Sequence, residues 1–163
     1  MGGVESVDVL IDMIRANSDI SHYASGCDES TIGAAERVLG IKFPPSYRRF
    51  IAKFGTADVA GQEFLGVYQT PGAGQVLLGS VAATLDARRC YSLPDHLVVT
   101  MFDGMGGLIV LDSSRSDMYD EYPVVVWNPG TVDEGDMEVL GANFGHYALN
   151  LCRIAIEGWR NMS

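Results

Sequence analysis

Basic residues are scarce in this chain: 11 lysines and arginines stand against 21 aspartates and glutamates, for a formal net charge of −10. That deficit argues against nucleic acid as a partner, because neutralising phosphates takes clustered positive charge and the phosphate field would repel this surface. A basic protein would be attracted to it. Cysteine is sparse as well. Cys27, Cys90 and Cys152 are odd in number and show neither CxxC nor Cys/His ligand spacing, which argues against both a disulfide framework and a zinc site. Long apolar runs are missing. The longest, Leu108 to Leu111 and Val124 to Trp127, fall far short of the roughly 18 residues of a membrane span, so no membrane partner is expected and the protein should be soluble. Asp8 and Asp12 precede the first arginine, so the start lacks the basic n-region of a secretory signal and a cytoplasmic location is expected.

The signatures of catalysis are equally thin. His22, His96 and His146 are scattered without HxxxH or HExxH spacing, so no metal or other cofactor is expected. No GxSxG elbow occurs, and Ser80, Ser92 and Ser113 carry no local activating pattern. The glycine clusters Gly72-Ala73-Gly74 and Gly104-Met105-Gly106-Gly107 lack the Lys-Ser/Thr and following helix of a phosphate loop and read as hairpin turns. The adjacent acids Asp120/Glu121 and Asp133/Glu134 would need opposed environments to divide acid and base roles, and polar loops keep such pairs solvated. No enzymatic activity is expected.

What is present is a chain of 163 residues with 47% hydrophobic and 20% charged content and no internal repeat. That composition suits one globular domain able to bury about 70% of the surface its unfolded chain exposes. Val7, Leu10, Ile11 and Ile14 predict a first helix ending near Asn17, followed by a polar connection to Gly26. Asp28 is placed to cap a second helix whose inner face is Ile32, Ala35, Val38 and Leu39, with Gly40 as its left-handed exit. Pro45 sits at the first position of a third helix with the stripe Tyr47, Phe50, Ile51 and Phe54, ended by Gly55. Strands are predicted at Glu63–Tyr68, Gln75–Leu78, Leu97–Asp103, Leu108–Asp112 and Val124–Trp127. A short helix over Val81 to Arg89 divides them, with Val81, Thr84, Leu85 and Arg88 at helical spacing. An amphipathic helix capped by Asn143 closes the chain. The fold class is therefore α+β, a mainly antiparallel or mixed sheet of about five to six strands packed by the opening helices and the C-terminal helix.

The order of these landmarks resembles the SUKH superfamily, named partly from fungal cell-wall regulators of the Smi/Knr type. The resemblance begins with the helix–Leu39-Gly40-Ile41–Phe43-Pro44-Pro45–helix grammar. It continues through Phe102-Asp103-Gly104-Met105-Gly106-Gly107 and its strand ending at Asp112, then Tyr122-Pro123-Val124-Val125-Val126-Trp127, then Asn143-Phe144-Gly145-His146-Tyr147. On this basis 28–163 is the family core of a single domain spanning 1–163, and 1–26 is a helix and connection added before it. Two departures stand out: Leu108 follows the paired glycines where the family often has an acid, and Gly145 weakens the start of the last helix. Bacterial members commonly act as immunity proteins against polymorphic toxins. The resemblance thus implies a non-enzymatic protein that binds and neutralises a basic toxin domain, such as a nuclease, or alternatively a regulatory or scaffold module.

One stretch suits such binding or, equally, a surface that keeps the protein in solution. From Ser116 to Leu151 there is no lysine or arginine, while Asp117, Asp120, Glu121, Asp133, Glu134, Asp136 and Glu138 account for seven of the 21 acids. Met118, Tyr119, Tyr122 and Met137 are interleaved with them, the mixture of anchors and charge found at interfaces. The candidate partner-binding residues are Asp117, Tyr119, Asp120, Glu121, Asp133, Glu134, Asp136 and Glu138.

Overall fold

The computed structural model describes residues 1–70, 76–130 and 137–162. The Gly72-Ala73-Gly74 turn and the candidates Asp133, Glu134 and Asp136 lie outside the described residues. The helices are α1 (Gly3–Ala16), α2 (Glu29–Leu39), α3 (Pro45–Lys53), α4 (Ser80–Tyr91) and α5 (Phe144–Asn161). The strands are β1 (Ser21–Ser25), β2 (Phe54–Val59), β3 (Gln62–Leu65), β4 (Val67–Gln69), β5 (Leu77–Gly79), β6 (Leu97–Phe102), β7 (Leu108–Asp112), β8 (Val124–Trp127) and β9 (Val139–Gly141). They form antiparallel sheets in the orders β1-β2-β3, β4-β5 and β6-β7-β8-β9. The α+β class holds, with more and shorter strands than the pattern predicts.

Local chemistry sets the helix ends as expected. The Asp28 carboxylate accepts from Thr31 N at 2.8 Å, Gly40 adopts φ 71°, and Pro45 occupies the first turn of α3. Two expectations are corrected. Val38 is half exposed, so only Ile32, Ala35 and Leu39 bury the inner side of α2. Gly55 ends no helix: the chain leaves α3 at Lys53 and enters β2 directly at Phe54. In α4, Thr84 and Ala87 are buried and Leu85 is exposed.

Gly55 has a different reason to be glycine. A Cβ there would meet Ser25 O at 2.7 Å, one at Gly66 would overlap Gly55 O, and one at Gly79 would overlap Gly66 O. Three glycines in file thus let successive backbone segments approach more closely than any side chain allows. They bring the β1-β2-β3 and β4-β5 sheets together.

In the third sheet β6, β7 and β8 are buried on both faces, which accounts for their continuous apolar runs. Val98, Met101, Ile109, Leu111 and Val124 join the main core. Leu97, Val99, Leu108, Val110, Val125 and Trp127 join a smaller core with Ala87 of α4. Paired residues fall on the same face despite the irregularity at Thr100, whose extra residue in β6 resets the alternation. In the main core Phe50 lies 5.2–5.6 Å, ring centre to ring centre, from Phe54, Phe64 and Phe144, within the range of favourable aromatic packing.

Helix α1 packs against both α3 and α5. Its start crosses the start of α5, where a Cβ on Gly145 would overlap the carbonyl oxygen of Gly3. At the far end Arg160 of α5 forms a two-pronged pair with Asp19, at 2.7 and 2.8 Å. Gly145 is therefore a packing requirement rather than a weak point. Gly145→Ala gains at most about 1 kcal/mol of helix propensity, but the overlap is with backbone that cannot rotate away, which puts its cost at the upper end of roughly 1–3 kcal/mol. Urea denaturation should show net destabilisation; an increase in stability would mean that the crossing can relax.

Candidate functional site

The loop between β7 and β8 carries most of the described candidate residues, and its own backbone holds it in one shape. Asp117 Oδ1 accepts from Tyr119 N at 2.8 Å and from Glu121 N at 3.0 Å. Asp117 N donates to Glu121 O at 2.9 Å and Asp120 N to Asp117 O at 3.1 Å. Asp120 takes a left-handed φ of 61°, a conformation that aspartate tolerates better than most residues. Closing the loop on itself leaves the side chains at its tip in solvent: Met118 is 85% and Tyr119 71% exposed.

Glu121 behaves differently from its neighbours. Its residue surface is only 4% exposed, which takes it out of the acidic surface expected of it. Its carboxylate accepts from Ser46 N at 3.0 Å and from Ser46 Oγ at 2.8 Å, while Ser46 Oγ accepts from Gly145 N at 3.1 Å. Ser46 lies in the first turn of α3 and Gly145 in the first turn of α5. Gly3, the first residue of α1, is so close that a Cβ on it would meet Glu121 Oε2 at 2.7 Å. Three helix starts therefore converge on one carboxylate, the charge that their unpaired amides and dipoles favour. Tyr122 secures the loop exit by donating from its hydroxyl to Lys42 O at 2.7 Å.

Beside this junction runs a groove of about 600 Å³. Gly3, Glu121 and Asn143 form its buried floor, Val4 and Pro45 its half-buried wall, and Glu5, Asp117, Tyr119 and His146 its exposed rim. Asn143 caps α5 by accepting from His146 N at 2.9 Å. Its amide lies 3.3 Å from His146 Nδ1, and His146 Nε2 lies 2.7 Å from Met1 O. A carbonyl can only accept, so the network selects the tautomer with the proton on Nε2. Ser46 Oγ, the hydroxyl nearest the junction, is buried and committed to Glu121 and Gly145, unlike an activated nucleophile.

A smaller cavity of about 320 Å³ borders Cys27. There Cys27 Sγ donates to Ile51 O at 3.5 Å, and burial pushes its thiol pKa up, the opposite of a reactive cysteine. Burial likewise pushes Cys152 up to about 12. Among the described residues no group of three or more His, Cys, Asp or Glu side chains could hold a metal ion, and no helix is long and apolar enough to cross a membrane.

The structure thus brings Asp117, Tyr119, Asp120 and Glu121 together. Glu138 stands apart: its carbonyl pairs with Val126 N at 2.9 Å, along β8 and away from the loop. Sequence reasoning missed Glu5, Ser46 and His146 as neighbours of this loop. Ser46 lies 75 positions from Glu121, and no local pattern connects them.

The landmarks that carry the resemblance lie on these elements in family order, and the family model SUKH_5, described as SMI1-KNR4 cell-wall, matches residues 7–153. The chain belongs to the SUKH superfamily. The match begins within α1 and ends within α5. Helix α1 packs on both α3 and α5 and contributes to the main core. No curated protein matches this SUKH chain.

Burial raises the Glu121 pKa above its ordinary 4.5 and the Asp117 charge adds to the shift, while the Ser46 hydrogen bonds and His146 oppose it. The folded protein then binds this proton more tightly than the unfolded chain. Glu121 therefore favours the fold increasingly as pH falls through its folded pKa towards about 4.5. In urea titrations the stability of the native protein relative to Glu121→Gln should rise on acidification from pH 7; a difference independent of pH would contradict the shift. Glu121→Ala orphans the buried Ser46 amide and should cost roughly 2 kcal/mol or more at pH 7.

Proposed function

We propose that this SUKH domain is a non-enzymatic immunity protein that binds and neutralises a basic toxin domain through the loop at 117–121. The observation that carries the reading is a closed, doubly anchored loop holding Met118 and Tyr119 in solvent within an acidic segment. A loop already in its bound shape loses little entropy on association. Exposed tyrosine and methionine on such a loop are suited to act as binding anchors.

The division of labour is physical. The net charge of −10 acts at long range, drawing in a cationic surface such as the groove with which a nuclease holds phosphates and raising the association rate. Tyr119 and Met118 then act at contact distance and slow dissociation. The cytoplasm, where a toxin would act after entry, is the matching location.

The cell-wall description of the matched family favours a second reading, a regulatory or scaffold module that organises partners without inhibiting an enzyme. A pull-down from native lysate, with bound chains identified by mass spectrometry at low and high salt, separates the two. Immunity predicts capture of a basic toxin domain that is lost at high salt, and suppression of that domain's toxicity by this chain. Capture of signalling proteins alone would favour the scaffold. For the captured toxin domain, Tyr119→Ala should speed dissociation about tenfold or more with little change in association rate. An association rate indifferent to ionic strength would count against electrostatic attraction.

A further inference from the structure

We infer that the groove beside the 117–121 loop receives a single arginine or lysine side chain from an extended segment of the partner. Glu5 and Asp117 would take the cationic head, and Tyr119 would cover its aliphatic stem. The inference deepens the proposed binding role and rests on the same loop.

Apart from the Met1 amino group and the His146 ring, the charged groups that line the groove are all acidic. Its lining includes Glu5, Asp117 and Glu121 and no lysine or arginine. Glu121 is spent on Ser46. Asp117 uses Oδ1 for both loop amides, and among the described residues neither its Oδ2 nor the Glu5 carboxylate has a hydrogen-bond partner or an ion pair. Two exposed carboxylates therefore border the same cleft, one supplied by α1 and the other by the loop more than a hundred residues later.

An anion is the competing occupant, because the start of α1 has no side-chain cap and helix N-termini attract negative charge. Magnitude decides between them. The three helix starts that meet here are together equivalent to about one and a half positive charges, and Glu121 answers most of that from the floor, whereas Glu5 and Asp117 bring two full negative charges to the rim. Glycine, valine and proline walls also suit the methylene stem of a long basic side chain, which packs on apolar surface while its head stays polar. The face of Tyr119 adds attraction for a cation beside it. At about 600 Å³ the groove has room for such a side chain and part of the backbone that carries it.

The test needs no knowledge of the partner. A capped glycine–arginine–glycine peptide is titrated into isotopically labelled protein and followed by amide chemical shifts. Shift changes should concentrate at residues 2–5, 117–121 and 142–146, and the matching glycine–glutamate–glycine peptide should produce none. Glu5→Gln and Asp117→Asn each remove a charge, and the asparagine keeps the Oδ1 acceptor that closes the loop. Each should weaken binding about two- to fivefold, with unchanged spectra elsewhere reporting that the fold is intact. Changes spread over remote acids such as Asp58, Glu29 and Asp86, equal binding of the glutamate peptide, or a double variant that binds as well as the native protein would overturn the inference. Peptide binding as expected without any toxin domain in the pull-down would leave the groove assignment standing and remove the immunity reading. A captured toxin domain with no arginine-peptide response would do the reverse.

Discussion

The two hydrogen bonds from Ser46 to the Glu121 carboxylate join the parts of this molecule that local sequence leaves unconnected. Helices α1, α3 and α5 each begin with amides that have no partner within their own helix, and all three begin at this point. A buried carboxylate is costly alone, yet here it receives two hydrogen bonds and the favourable ends of three dipoles. The same residue ends the exposed loop. The geometry of the helical layer and the shape of the candidate binding surface therefore depend on one contact.

Rigidity at that loop has a consequence for recognition. Asp117 closes the backbone from within, Glu121 ties it to α3, and Tyr122 ties its exit to the α2–α3 link. Met118 and Tyr119 are exposed at the tip of a segment that is itself closed by hydrogen bonds. Exposed apolar side chains on a fixed backbone carry the usual cost of contact with water, and that cost is recovered when a partner covers them.

Much of the helical grammar was legible in the sequence because its causes lie within a few residues. Asp28 caps the helix immediately after it, Gly40 supplies a left-handed exit, Pro45 starts α3, and Asn143 caps α5. The apolar strands β6, β7 and β8 were equally plain. Strands β1, β2 and β9 were not, since β1 is almost wholly exposed, β2 begins on a residue that fits the last turn of a helix, and β9 has three residues. Each is a strand because a neighbour pairs with it. Gly55 looked like a helix stop, whereas its role is to admit Ser25.

The sequence alone established the acidic character, the α+β class, the caps and the order of landmarks in which the chain resembles the SUKH family, because each can be read from residue types and their linear order without knowing which segments meet. Only the tertiary structure decided which acids act together. It withdrew Glu121 from the surface, placed Glu138 apart, and brought Glu5 and Asp117 to the lining of one groove. The reason is that a carboxylate's role depends on the backbone amides, helix ends and solvent around it, and those are supplied by segments that meet only when the chain is folded.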